Sequence, residues 1–82
     1  MTVTYYVALP FVRNADGDLV AGEAIDRQTA SAAESAARRM AESGAGAVAF
    51  SRTGDPATGE FAEAVVIRTF GDVPSQGDLL AG

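Results

Sequence analysis

The 82-residue chain contains no histidine, no cysteine, no tryptophan and no lysine. Without histidine, no side chain titrates unperturbed near neutral pH, and general acid–base chemistry loses its usual group. Without cysteine there is no thiol nucleophile and no disulfide, and the ordinary ligands of zinc are missing as well. The lack of disulfides fits a reducing compartment better than a secreted scaffold, so a cytoplasmic location is expected. No run approaches the ~18 apolar residues of a membrane span, and the N-terminus lacks the basic start and apolar stretch of a signal peptide. What remains for chemistry is eleven carboxylates, six arginines, two tyrosines and scattered hydroxyls. The expectation is a non-enzymatic protein that binds something, with no catalytic residue, no cofactor, no metal and no membrane contact.

A formal net charge of −5 opposes attraction to nucleic acid or anionic lipid and favours a basic partner. The 48% hydrophobic content is that of a folded domain. A chain of this size buries only about 60–65% of its unfolded surface, so its core is thin. Residues 1–73 read as one domain and residues 74–82 as a loose tail, in which Leu79 and Leu80 are free to dock on the body or on a partner.

Along the chain, residues 2–12 alternate, with Val3, Tyr5, Val7, Leu9 and Phe11 on one face and Thr2, Thr4, Tyr6 and Ala8 on the other. The larger set is read as the buried one. Pro10 lacks a ladder donor and marks an interruption, a bulge or an edge. Asp16-Gly17 supplies a hairpin turn, and residues 19–26 follow as a short edge strand. Residues 30–43 are alanine-rich and free of Gly and Pro, a helix with Ser31 and Glu34 at capping-box spacing and Thr29 as an alternative cap. Glu34 and Arg38 stand at i,i+4, and Gly44 ends the helix. Its stripe of Ala33, Ala36, Ala37, Met40 and Ala41 calls for aromatic and branched side chains on the facing strands. Residues 45–52 and 61–70 read as two further strands, the unbroken apolar run 64–67 suggesting a strand covered on both faces.

The order strand, strand, helix, strand, strand implies an α+β two-layer sandwich, ββαββ. Its four-stranded antiparallel sheet takes spatial order 2-1-3-4, with one helix on one face. The face left uncovered would carry Thr2, Thr4, Tyr6, Ala8, Ala47 and Ala49, and a homodimer or a docked protein would cover it. Tyr5 then belongs to the core, and Tyr6 is the candidate contact anchor.

Among constellations of polar residues, Asn14-x-Asp16-Gly17-Asp18-Leu19-x-x-x-Glu23 resembles the core of an EF-hand calcium loop. It lacks the first carboxylate, because Val12 stands there, and its flanks read as strands, so a plain hairpin turn is expected. Asp55, Glu60 and Glu63 cluster around the second hairpin. Glu23, Glu60 and Glu63 are the carboxylates that an enzyme would have to enclose in an apolar pocket. The six arginines without lysine read as a compositional bias, with Arg38 and Arg39 solvating the outer helix face.

In size, acidity and lack of catalytic groups the chain resembles the small inhibitor proteins of phages and mobile elements, anti-CRISPR proteins among them. The resemblance rests on type and on no motif. It implies an inhibitor of a basic, nucleic-acid-binding complex, with Asp16, Asp18, Asp55, Glu60 and Glu63 replacing phosphates against arginine or lysine and Tyr6 as an apolar anchor. The alternative is a homodimeric structural or housekeeping protein whose acidic residues serve only to solvate it.

Overall fold

The alternating N-terminal stretch forms strand β1, Val3–Arg13, in a computed structural model that describes residues 1–74. Leu79 and Leu80, and the tail beyond Pro74, lie outside the described residues. β1 runs through Pro10 without a break. The missing N–H acts on the neighbouring strand instead. A strand residue aims its N–H and C=O to the same side, and the Pro10 carbonyl accepts a 2.8 Å bond from the Gly22 N–H on the sheet edge. The absent donor therefore faces that edge, which divides there into β2, Leu19–Ala21, and β3, Ile25–Arg27. Phe11 pairs with Ala21 and Ala8 with Ile25, three steps along β1 against four along the edge, so one extra residue bulges out.

The hairpin before β2 is held by Asn14, whose Oδ1 accepts from the N–H groups of Asp16 and Asp18 at 2.9 and 3.0 Å. Gly17 takes a φ of 83°, as the Asp-Gly pair requires. Helix α1, Ala30–Ser43, starts at the cap Thr29, whose Oγ1 accepts from the Ala32 N–H at 3.1 Å. The Ser31/Glu34 capping box does not form. Glu34 reaches across to Arg68, 2.9 Å away, in place of the expected pairing with Arg38. Gly44 is the C-cap.

After the helix, β4 (Gly46–Asp55) pairs with β1 over all but its last residue, from Phe11 opposite Gly46 to Val3 opposite Gly54. The last expected strand is broken like the second, into β5, Glu60–Phe61, and β6, Val65–Gly71. Both pair antiparallel with β4. The order is thus β2 and β3 on one edge, then β1, β4, and β5 with β6 on the other edge. This is the α+β order 2-1-3-4 with each edge strand split, in a sheet curled into a half-barrel. In β6, Val66 pairs with Phe50 and Arg68 with Ala49, leaving Ile67 as an extra residue. The apolar run at residues 64–67 therefore records a bulge, which lets Ile67 reach the helix side; it does not record a strand covered on both faces, and Val65 is 62% exposed.

The two faces of the sheet are exchanged relative to the expectation from side-chain size. The helix packs on even-numbered residues of β1 and odd-numbered residues of β4. Its core is Ala8, Ala47 and Ala49 against Ala33, Ala36 and Ala37, ringed by Tyr6, Ile25, Met40, Ile67 and Phe70. At its centre the alanine-rich helix meets alanines, and the aromatic and branched strand side chains Tyr6, Ile25, Ile67 and Phe70 pack only around that centre. Small residues on both layers let the helix come close, and the larger side chains fill the rim. Val3, Tyr5, Val7, Leu9, Phe11, Val48 and Phe50 consequently lie on the face away from the helix. Among the described residues no helix is long and apolar enough to cross a membrane.

Candidate functional site

The face turned away from the helix is unequal along its length. At the end near Phe11 it is closed. The Asp72 N–H donates to the Ala45 carbonyl at 3.0 Å, so the chain after β6 crosses over Gly46, where no side chain stands in its way. Val73 and Pro74 are half-buried, and Phe11 and Val48 keep only 5% and 1% of their surface in solvent. Arg13 braces the same end, donating to the Gly17 carbonyl at 2.7 Å and lying 3.5 Å from the Asp72 carboxylate.

The other end is open. A cleft of about 380 Å³ lies there, lined by Tyr5, Val7, Asp26, Phe50, Arg52 and Phe61. Phe61 reaches it because Gly54, its partner across the β4–β5 ladder, has no Cβ, and the aromatic ring occupies the position that a Cβ would take. The Phe61 ring centroid is 6.2 Å from that of Tyr5 at a tilt of 40°, a favourable aromatic geometry. The Arg52 guanidinium lies 5.6 Å from the Phe61 centroid, a cation–π arrangement. On the opposite wall Asp26 pairs in register with Val7. The cleft therefore has an aromatic and aliphatic lining, a cation on one side and an anion on the other. Among the described residues neither Arg52 nor Asp26 takes part in an ion pair.

The residues singled out from the sequence fall elsewhere. Tyr6, expected as the anchor on the uncovered face, packs half-buried against the alanine core beneath α1. Tyr5, expected in the core, lines the open cleft. The two are adjacent and so point to opposite faces; the exchange follows directly from the exchange of the faces. The surface of Thr4, Ala8, Ala47 and Ala49, expected to take a partner, lies on the helix side, with Thr4 and Thr53 sharing a 2.9 Å hydroxyl hydrogen bond beyond the helix.

The carboxylates do not come together as one group. Asp16 and Asp18 sit on the hairpin after Arg13, whereas Asp55, Glu60 and Glu63 surround the hairpin beside Val3. The ten steps of β1 from Val3 to Arg13 separate them by roughly 33 Å at about 3.3 Å per residue. Asp16, Asp18, Glu60 and Glu63 are exposed. Asp55 is employed in its own turn, where its Oδ1 accepts from the Ala57 N–H at 2.9 Å and Oδ2 lies 3.4 Å from the Met1 amino group. In the first hairpin, the Asn14 oxygen that a calcium loop would turn toward its ion is engaged by two backbone N–H groups. Glu23 is exposed, and neither it, Glu60 nor Glu63 lines the cleft.

The arginines do more than solvate. Arg38 and Arg68 both stack on Phe70, at 5.6 and 5.4 Å, and Arg68 also holds Glu34. Sequence reasoning does not single out Arg52, Phe50, Phe61 or Asp26 as site residues. Their signal lies in the alanines: once Ala8, Ala47 and Ala49 are matched to the alanine stripe of the helix, parity alone sends Tyr5, Phe50 and Arg52 to the other face. Comparison of the chain with protein-family models, with curated proteins and with solved structures finds no match to any of them.

Proposed function

We propose that this chain is a non-enzymatic, cytoplasmic protein-binding module that works through the open end of its sheet. The observation that carries this reading is the exposed aromatic cleft of Tyr5, Phe50 and Phe61 with Arg52 and Asp26 on its walls. Aromatic residues and arginine are the side chains that dominate binding energy at protein interfaces. A cleft this open would leave much of a small molecule in water, whereas an apolar side chain presented by a protein surface would fill it and bring its own rim.

The narrower reading, an acidic inhibitor of a basic nucleic-acid-binding complex, draws support from the exposure of Asp16, Asp18, Glu60 and Glu63, which make no ion pair among the described residues. It would require a basic surface long enough to meet both ends of the sheet, or a partner engaging one hairpin alone. Charge would then govern the encounter and make it sensitive to salt.

Affinity capture with three forms of the full chain separates the two readings. Tagged wild type is compared with Phe61→Ser/Arg52→Glu and with Asp16→Asn/Asp18→Asn/Glu60→Gln/Glu63→Gln, at low and at physiological salt. The open-face reading predicts that a protein retained by the wild type is lost only with the first variant, at either salt. Loss confined to the second variant and to physiological salt would replace it by the acidic-inhibitor reading.

A further inference from the structure

We infer that the occupant of the open cleft is a second copy of this chain, joined face to face with Arg52 of each copy against Asp26 of the other. The inference rests on the protein-binding reading above and names its partner. Arg52 lies on β4 level with Tyr5, and Asp26 lies on β3 level with Val7, so the two flank β1 from opposite sides. Both are exposed and without an ion pair among the described residues. They are two strand spacings apart laterally and two residues apart along the strands, so their backbones are roughly 12 Å apart.

A twofold axis lying in the plane of contact exchanges any two points of a face when it passes through their midpoint at right angles to the line between them. For Arg52 and Asp26 that midpoint falls on β1 between Tyr5 and Val7, inside the aromatic cleft. One rotation therefore sets each guanidinium against the other copy's carboxylate and stacks Tyr5, Val7, Phe50 and Phe61 around the axis. A face with one cation and one anion so placed is complementary to itself, as an isologous contact requires.

Charge elsewhere is consistent with this choice of face. The chain carries −5 overall, and two copies would repel through the hairpin carboxylates. One acidic hairpin lies at the far end of the sheet and the other borders the cleft end without lining it, and the cleft itself brings to the contact one positive and one negative group, Arg52 and Asp26. A basic partner would gain little from such a neutral face. Because Phe11 and Val48 at the far end are already buried, the area available is at the small end of protein interfaces. The dimer is accordingly a weak one, with a dissociation constant in the micromolar range or above.

The test is sedimentation equilibrium of the full chain from about 10 μM to about 1 mM, the range in which weak interfaces assemble. Four samples are compared: wild type, Arg52→Glu, Asp26→Arg, and an equimolar mixture of the two variants, with circular dichroism confirming that each is folded. The wild type should move from monomer toward dimer mass as concentration rises. Each single variant sets like charges against each other twice, and its dimerisation should weaken at least tenfold. In the mixture one variant carries a carboxylate at both positions and the other a guanidinium at both. Every contact between unlike copies is then again between opposite charges, and dimer should return. A wild type that stays monomeric at all concentrations overturns the inference, as do single variants that dimerise like the wild type or a mixture that behaves like its components. If the inference fails in any of these ways while the Phe61→Ser/Arg52→Glu variant still loses a captured partner, the protein-binding reading survives without self-association.

Discussion

The two faces of the sheet solve opposite packing problems with the same strands. Beneath the helix, Ala8 and Ala49 meet Ala33 and Ala37, and all four are fully buried. On the other face the same strands carry Tyr5, Val7 and Phe50, none of them fully buried, beside an open cleft. Size of side chain therefore does not tell which face is closed. A helix whose central stripe is alanine is best met by alanines there, because methyl against methyl brings the layers close enough for backbone to contribute to packing. The larger residues go to the rim of this contact, as Tyr6 and Phe70 do, or to the face that no helix covers.

Two neighbouring residues put this contrast under the greatest strain. Ala8→Leu forces three carbons into a site with no free volume and is expected to destabilise the fold by about 3 kcal/mol or more. Val7→Leu, one position away on the open face, should stay within about 0.5 kcal/mol. Thermal melting resolves the pair readily, since 1 kcal/mol corresponds to about 4–8 °C in a domain of this size. Equal losses at both positions would mean that the faces are not different in kind.

A smaller effect is expected at Gly54. A Cβ there would collide with the Cδ1 edge of the Phe61 ring, so Gly54→Ala should push Phe61 off Tyr5 and Arg52 at a cost of about 1–2 kcal/mol. The upfield ring-current shifts of the Tyr5 and Arg52 side-chain protons should collapse in its NMR spectrum, while the alanine methyls under the helix keep theirs. Smallest is the helix cap. Thr29→Ala removes the bond to the Ala32 N–H and should cost about 1 kcal/mol, whereas Ser31→Ala, just inside the helix, should change stability by less than about 0.3 kcal/mol. Chemical denaturation of the two variants side by side checks which residue is the cap.

Much of the architecture can be read from the sequence. The helix from Ala30 to Ser43 follows from its alanine content and the glycine after it, and the strand order follows from the antiparallel requirement on four strands around one helix. The splitting of both edge strands is legible only in part. Pro10 announces an interruption, but the sequence does not say whether the proline's own strand or its partner gives way; the partner does, because a central strand is held from its other side by β4. The bulge at Ile67 leaves a run of four apolar residues that a doubly covered strand would also show. The faces are inverted relative to the expectation because the larger set of alternating side chains marks the core only when the covering helix carries large residues itself, and this one carries alanines. That single inversion moves Tyr6 under the helix and Tyr5 into the cleft. Asp26, Arg52 and Phe61 come together only through register, Phe61 by way of the gap at Gly54, and no spacing in the sequence records it.

If the face away from the helix is the one that binds, concentration alone should reveal it. A dilution series of the full chain followed by NMR reads the methyl signals of valine and alanine and the aromatic protons on both faces at once. Signals of Val7, Tyr5, Phe50 and Phe61 should move with concentration while the methyls of Ala8, Ala37 and Ala49 stay fixed. Movement of the alanine methyls or of Tyr6, or no concentration dependence at any residue, would be incompatible with self-association through that face.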